Sequence, residues 1–192
     1  MEQKTFALKG NIIYTKERTR FEVMEQGWLV CEEGRVRDVY SVLPEELKGI
    51  PVEDMEDRLI IPGLTDLHIH APQYTFRSLG MDMELLEWLE TNTFPEESKY
   101  KDTEYAGKAY GMFAEQLKKS ATVRACIFGT IHNEATLLLM DLLEEAGLYT
   151  MVGKVNMDRN SPEYLCEPSA EASAQATREW LKAVADRKYK RT

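Results

Sequence analysis

The chain has 192 residues, of which 43% are hydrophobic and 30% charged, with a formal net charge of −9. That is the composition of a globular protein able to bury a core, and its acidic balance argues against nucleic acid and anionic membranes as partners. The start, Met1-Glu2-Gln3-Lys4, carries no apolar leader, and no apolar run approaches the ~20 residues of a membrane span. Three scattered cysteines (Cys31, Cys126, Cys166) have neither disulfide-framework nor thiolate-metal spacing, so a reducing cytoplasm is the expected setting.

In chain order, residues 6 to 43 read as short strands. Phe6-Ala7-Leu8 and Asn11-Ile12-Ile13-Tyr14 come first. Gly27–Cys31 is expected to pair with Arg35–Val39 across Glu32-Glu33-Gly34, since a short loop with a glycine able to take positive φ favours a hairpin. Pro44 to Asp57 is acidic and reads as an irregular crossover. Leu64–His70 is predicted as the first strand of a second region. A short helix at about Glu84 to Thr91 would set Leu85, Leu86, Trp88 and Leu89 on one side. A longer one, Asp102 to Lys119, would bury Ala106, Ala109, Phe113 and Leu117. Val123–Phe128 is the next strand. Glu134 to Ala146 follows as a leucine-rich helix, with Asn133 as N-cap and Gly147 as its stop. Leu148 to Val155 is a third strand. The last helix runs to Asp186, capped by Ser169, with Trp180, Leu181 and Val184 on its buried face.

Strands alternating with helices at this spacing imply right-handed βαβ units on a parallel sheet. The expected fold class is α/β: a partial (β/α)8 TIM-type barrel, its first three βα units, preceded by part of a small β-sandwich. The domains are expected at 1–60 and 61–192. A full barrel takes ~250 residues and eight strands, so three strands cannot close one. Tyr189-Lys190-Arg191-Thr192 falls where a fourth would begin.

The chemistry concentrates in Leu59 to Gln73, LIIPGLTDLHIHAPQ. Along a strand, side chains at i and i+2 share a face, so His68 and His70 project together with Ile69 turned away. Two imidazoles at a strand end make half of a metal site suited to zinc, iron or nickel. In parallel barrels functional groups gather at the C-terminal ends of strands, and those ends here also carry Thr130-Ile131-His132 and Lys154 through Asp158. Asp66 lies on the His68 face, one layer deeper.

Pro62-Gly63-Leu64-Thr65-Asp66-Leu67-His68-Ile69-His70 resembles the first barrel strand of the amidohydrolase superfamily. Further on, Ala71-Pro72-Gln73-Tyr74, Leu85-Leu86-Glu87-Trp88-Leu89, Thr93-Phe94-Pro95-Glu96, Thr130-Ile131-His132 and Val152 to Asp158 make an ordered series similar to the guanine deaminase family. The resemblance implies hydrolytic deamination of guanine to xanthine and ammonia, with one zinc per site (or iron) and His68 and His70 as two of its ligands. It gives Gln73 a hydrogen bond to the purine, with Ala71, Pro72 and Trp88 as further substrate contacts. His132 would stand behind the metal ligands rather than on the metal. Lys154 would be a plain strand-end lysine rather than a carbamylated, metal-bridging one.

The resemblance also implies that two acids, further histidine ligands and a substrate-holding arginine come from later strands that this chain does not match. The expectation is therefore an N-terminal fragment, inactive alone. When full length it would be a homodimer in purine catabolism; if the enzyme is split, it would need a complementing chain. Two other readings stay open: a fragment of an amidohydrolase acting on another purine, a pyrimidine or a triazine, and a non-catalytic module that binds a partner through its open sheet edge.

Overall fold

The computed structural model describes residues 5–192; Met1–Lys4, read above as lacking an apolar leader, lies outside them. The chain divides into two compact units, one running through Pro62 and one from Gly63 to Thr192.

The first unit is a four-stranded sheet. Strand β1 (Phe6–Glu17) pairs antiparallel with β2 (Arg20–Glu32), and β2 with β3 (Arg35–Tyr40), while β4 (Val52–Ile60) lies parallel to β1 on its other side. The expected hairpin forms, and Glu33 and Gly34 both take positive φ, 51° and 71°, the twist that suits a tight turn between right-twisted strands. The two expected lead-in strands are one, continuous through an irregularity between Gly10 and Ile12. Ala7, Val30 and Leu47 form the buried core, with Trp28, Tyr40, Leu43 and Ile50 packed against it.

Strand β4 replaces most of the expected irregular crossover. Its register against β1 jumps between Lys9 and Asn11, where residues 55–58 bulge outward. Polar side chains close that bulge: Asn11 Nδ2 donates to the Asp57 carbonyl at 3.2 Å and Gln26 Nε2 to the Glu56 carbonyl at 3.1 Å. Glu56 sits at φ 55°. Strand alternation is hidden in the sequence because this segment is mostly exposed and its solvent-facing positions are acidic.

The second unit holds the parallel sheet β5 (Leu64–His70), β6 (Thr122–Phe128), β7 (Tyr149–Gly153), in that order. A 3-10 turn, Ala71–Phe76, leaves β5 and leads toward α1 (Leu85–Trp88), a π-helical turn (Leu89–Thr93) and α2 (Phe94–Ser98). Then come α3 (Thr103–Lys118), α4 (Asn133–Ala146) and α5 (Ala170–Arg187). The α3 stripe is buried as expected, extended by Tyr110 and Ala114, and packs on Ala125 and Ile127 of β6 and on Ala135, Leu139 and Leu143 of α4. Trp180 of α5 packs on Leu137 and Met140.

Four expectations need correction. The helix at 84–91 stops at Trp88, and the π turn breaks its 3.6-residue period, so Leu85 and Leu86 are exposed while Trp88 and Leu89 are half-buried. Leu181 is 52% exposed, because α5 meets α4 through the Trp180, Ala183 and Val184 side only. The N-cap of α4 is His132, not Asn133, whose amide donates instead to the Ala176 carbonyl at 2.8 Å. Residues 189–192 form no strand; the Glu144 carboxylate accepts the backbone N–H groups of Lys190, Arg191 and Thr192, and Thr150 donates to the Arg191 carbonyl at 2.9 Å.

Candidate active site

His68 and His70 sit at the C-terminal end of β5, with Nε2 atoms 3.2 Å apart and ring centroids 5.0 Å apart in an edge arrangement. The ladder to β6 is irregular between Asp66 and Ile69, where the Asp66 carboxylate accepts the His68 N–H at 3.0 Å. Such an irregularity re-aims side chains at a strand end. Phe128, at the end of β6, stacks on His70 (centroids 4.7 Å, planes 13° apart) and lies 5.0 Å from His68. Burial first, then the neighbouring His68, push the His70 imidazole below its ordinary pKa, favouring the neutral form that can bind a metal.

Both imidazoles open on a cavity of about 570 Å³, also lined by Gln73, Arg77, Leu85, Trp88, Leu89 and Phe113. Ala71 and Pro72, expected as substrate contacts, are buried and are not among the residues that line it, and the Pro72 carbonyl accepts a hydrogen bond from Tyr100 at 3.1 Å. Trp88 Nε1 donates to the Leu79 carbonyl at 2.9 Å, which fixes its ring against Phe76. The Arg77 guanidinium lies 4.0 Å over the Tyr74 ring and donates to the Tyr74 carbonyl.

His132 is elsewhere. It lines a separate cavity of about 460 Å³ with Lys101, Cys166 and Glu167, so it is not brought together with His68 and His70. Burial, then the charges of Lys101 and Lys154, lower its pKa against the pull of Glu167. Lys154 is fully engaged: its ammonium lies 2.7 Å from Glu167 and donates to the Val155 carbonyl. Glu167 is held ionised although burial opposes it, because Lys154, Ser173 and the Met157 N–H all donate to it.

The residue pattern overlooked Phe128, Arg77 and Glu97. Glu97 is only 4% exposed, and burial raises its carboxyl to about 7. An aromatic closing a strand beside two histidines was the available sign for Phe128; an acidic Pro-Glu-Glu-Ser run gives none for Glu97.

The amidohydrolase family matches residues 59–191, more than half of the chain. The chain belongs to the amidohydrolase family. Among individual members, it is 33% identical to the guanine deaminase of Dictyostelium discoideum over 92% of its own length and 43% of that protein. The crystal structure of the guanine deaminase from C. acetobutylicum, with guanine bound in its active site, superposes with a TM-score of 0.86 at 41% identity, covering 93% of this chain and 42% of that one. A triazine hydrolase from Arthrobacter aurescens superposes at 0.72 with 14% identity, a likeness of fold alone. This amidohydrolase chain thus spans about two fifths of the length of the curated relatives it matches. The mixed α/β fold of the family, with its parallel sheet, is the one expected from the sequence. No helix among the described residues is long and apolar enough to cross a membrane.

Proposed function

We propose that this chain supplies the first metal-binding and purine-binding residues of a guanine deaminase, which converts guanine and water to xanthine and ammonia. In this reading residues 61–192 are the opening βα units of a (β/α)8 barrel, residues 1–60 are part of an accompanying β-sandwich, and the protein works on free guanine in the cytoplasm. The observation that carries it is the pair of imidazoles opening on the same cavity as Gln73.

The two imidazoles fit a metal. Tetrahedral zinc with Zn–N bonds of 2.0–2.1 Å spaces its ligand nitrogens about 3.3 Å apart, and His68 and His70 hold theirs at 3.2 Å. They would hold zinc, or iron, which supplies the Lewis acidity that makes a water molecule nucleophilic at neutral pH. Among the described residues no group of three His, Cys, Asp or Glu side chains is arranged for a metal, so further ligands would come from the rest of the enzyme. Phe128 holds the His70 ring by stacking on it. Gln73 would orient the purine through its amide, and Trp88, Leu89 and Phe113 would keep water from the ring faces. The Arg77 charge stands on the same wall.

The test is made on the full-length enzyme. Zinc or iron should copurify at about one per site, guanine should be converted to xanthine, and His68→Ala should lose both metal and activity. Metal retained at the native level in His68→Ala would reject the ligand assignment. Turnover of a triazine or pyrimidine in preference to guanine would reject the substrate.

A further inference from the structure

Strands β5 and β6 run parallel, with Ile69 opposite Ile127 and His70 opposite Phe128. Side chains alternate along each strand, so the two isoleucines share one face and His70 and Phe128 the other. Ile127 is buried in the core, whereas Phe128 is 39% exposed. A phenylalanine left that open forgoes much of what full burial would contribute to folding. Its ring is nonetheless engaged. It stacks on His70 with planes 13° apart and meets His68 with planes 57° apart, both centroids lying within 5.0 Å of its own. One aromatic ring therefore touches both imidazoles, presenting its face to one and a tilted approach to the other. The strand end that carries it is firmly held. The Gly129 N–H donates to the Gly153 carbonyl at 2.9 Å, and a Cβ at Gly129 would lie 2.9 Å from the Thr136 side chain, so β6 runs hard against α4 directly after Phe128. A metal-binding imidazole is ordinarily aimed by a group standing behind it, and losing that group weakens metal binding about 10- to 100-fold. Here the group in contact with both rings is an aromatic face.

We infer that Phe128 is a positioning residue for the metal ligands: held opposite His70 by the β5–β6 pairing, its ring sets the planes of both imidazoles in advance, so that their Nε2 atoms already stand 3.2 Å apart when a metal ion arrives. The inference rests on the proposed role of His68 and His70 as ligands. Side chains ordered beforehand lose little freedom on binding, so the benefit falls on metal affinity. Phe128 is not among the residues that line the cavity of Gln73 and Trp88, so its effect on guanine is exerted through the metal.

The experiment strips the full-length enzyme of metal and measures its zinc dissociation constant by competition with a chromophoric chelator, beside the thermal midpoint of the zinc-free protein. Phe128→Leu removes the aromatic face but keeps an apolar side chain. It should weaken zinc binding about tenfold, the loss expected when contacts to two rings are given up. The zinc-free midpoint should stay near that of the parent, because the residue is partly open to solvent. With zinc at saturation, KM and kcat for guanine should return close to parental values. Phe128→Tyr keeps the face and should bind zinc as the parent does. Phe128→Met serves the same purpose as Phe128→Leu if the leucine variant folds poorly. Parental zinc affinity in Phe128→Leu, with zinc lost from His68→Ala, would overturn the inference and leave the ligand assignment intact. Weakening in Phe128→Tyr equal to that in Phe128→Leu would overturn it too, since the face would then not be what matters. Zinc held at parental affinity by His68→Ala would overturn the ligand assignment, and the inference with it.

Discussion

Burial moves the Glu97 carboxyl from an ordinary value of 4.5 to about 7, so the folded chain keeps a proton that the unfolded chain releases between those values. A raised carboxyl favours the fold at low pH: the contribution is complete below 4.5 and is lost as pH rises to 7. At 1.36 kcal/mol per pH unit this amounts to about 3 kcal/mol. Glu97→Gln cannot ionise, so it should be more stable than the parent at pH 8, by up to about 3 kcal/mol, and nearly equal to it at pH 4.5. Denaturant unfolding of parent and variant at the two pH values checks this; a difference that does not change with pH would mean the carboxyl does not titrate across this range. Gly63 gives a second expectation. A Cβ there would lie 2.3 Å and 2.6 Å from the two methyls of Val123, whose branched side chain has little freedom to turn away. Gly63→Ala should cost about 1–3 kcal/mol, and pairing it with Val123→Ala should recover most of that in thermal unfolding. The juxtaposition of His68 and His70 was legible because strand spacing puts i and i+2 on one face, whereas Gln73 came from the motif series it belongs to and lines the same cavity. Glu97 was not legible, since its burial comes from the tertiary packing of α2, which a local acidic run does not announce.

Among the elements, helices with whole turns and real caps read well, and those whose form depends on neighbours did not. The Asp102 carboxylate accepts the backbone N–H of Glu104 at 2.8 Å and of Tyr105 at 3.4 Å, starting the helix whose face carries Tyr110, Phe113 and Leu117 into the core. Asp102→Ala should therefore lower stability by about 1 kcal/mol, and Asp102→Asn, which keeps the acceptor, by only a few tenths; parallel thermal melts would show the ordering. The π turn after Trp88 leaves no periodic signature, and it undid the single apolar stripe expected across residues 85–89. The cap of α4 was misread by one residue because Asn133 is a stronger capping type than His132, yet a distant carbonyl, that of Ala176, claims its amide. Strand β4 was missed for a related reason: an exposed strand pairing with a neighbour about 45 residues earlier needs no apolar alternation.

At the scale of the molecule, β5 and β7 each have one strand neighbour among the described residues, and both carry exposed apolar side chains, Leu64 and Leu67 on β5, Tyr149 and Met151 on β7. Unpaired parallel edges with apolar flanks recruit other strands, whether from the rest of an enzyme or from other copies. The metal count points the same way. Two imidazoles are fewer than the three protein ligands that hold a catalytic zinc, and the described residues offer no third at the site. The 192-residue chain expressed alone should therefore associate with itself, bind zinc weakly and form no xanthine, while the full-length enzyme should hold zinc through dialysis and turn guanine over. Light scattering, metal analysis and a xanthine assay on the two samples decide it. Xanthine formed by a monomeric 192-residue chain would mean that the ligand count is wrong, and that the acid–base and metal chemistry is complete within these residues. Loss of self-association on adding the remaining part of the enzyme as a separate chain, with activity restored, would identify the open edges of β5 and β7 as the surfaces that the remainder covers.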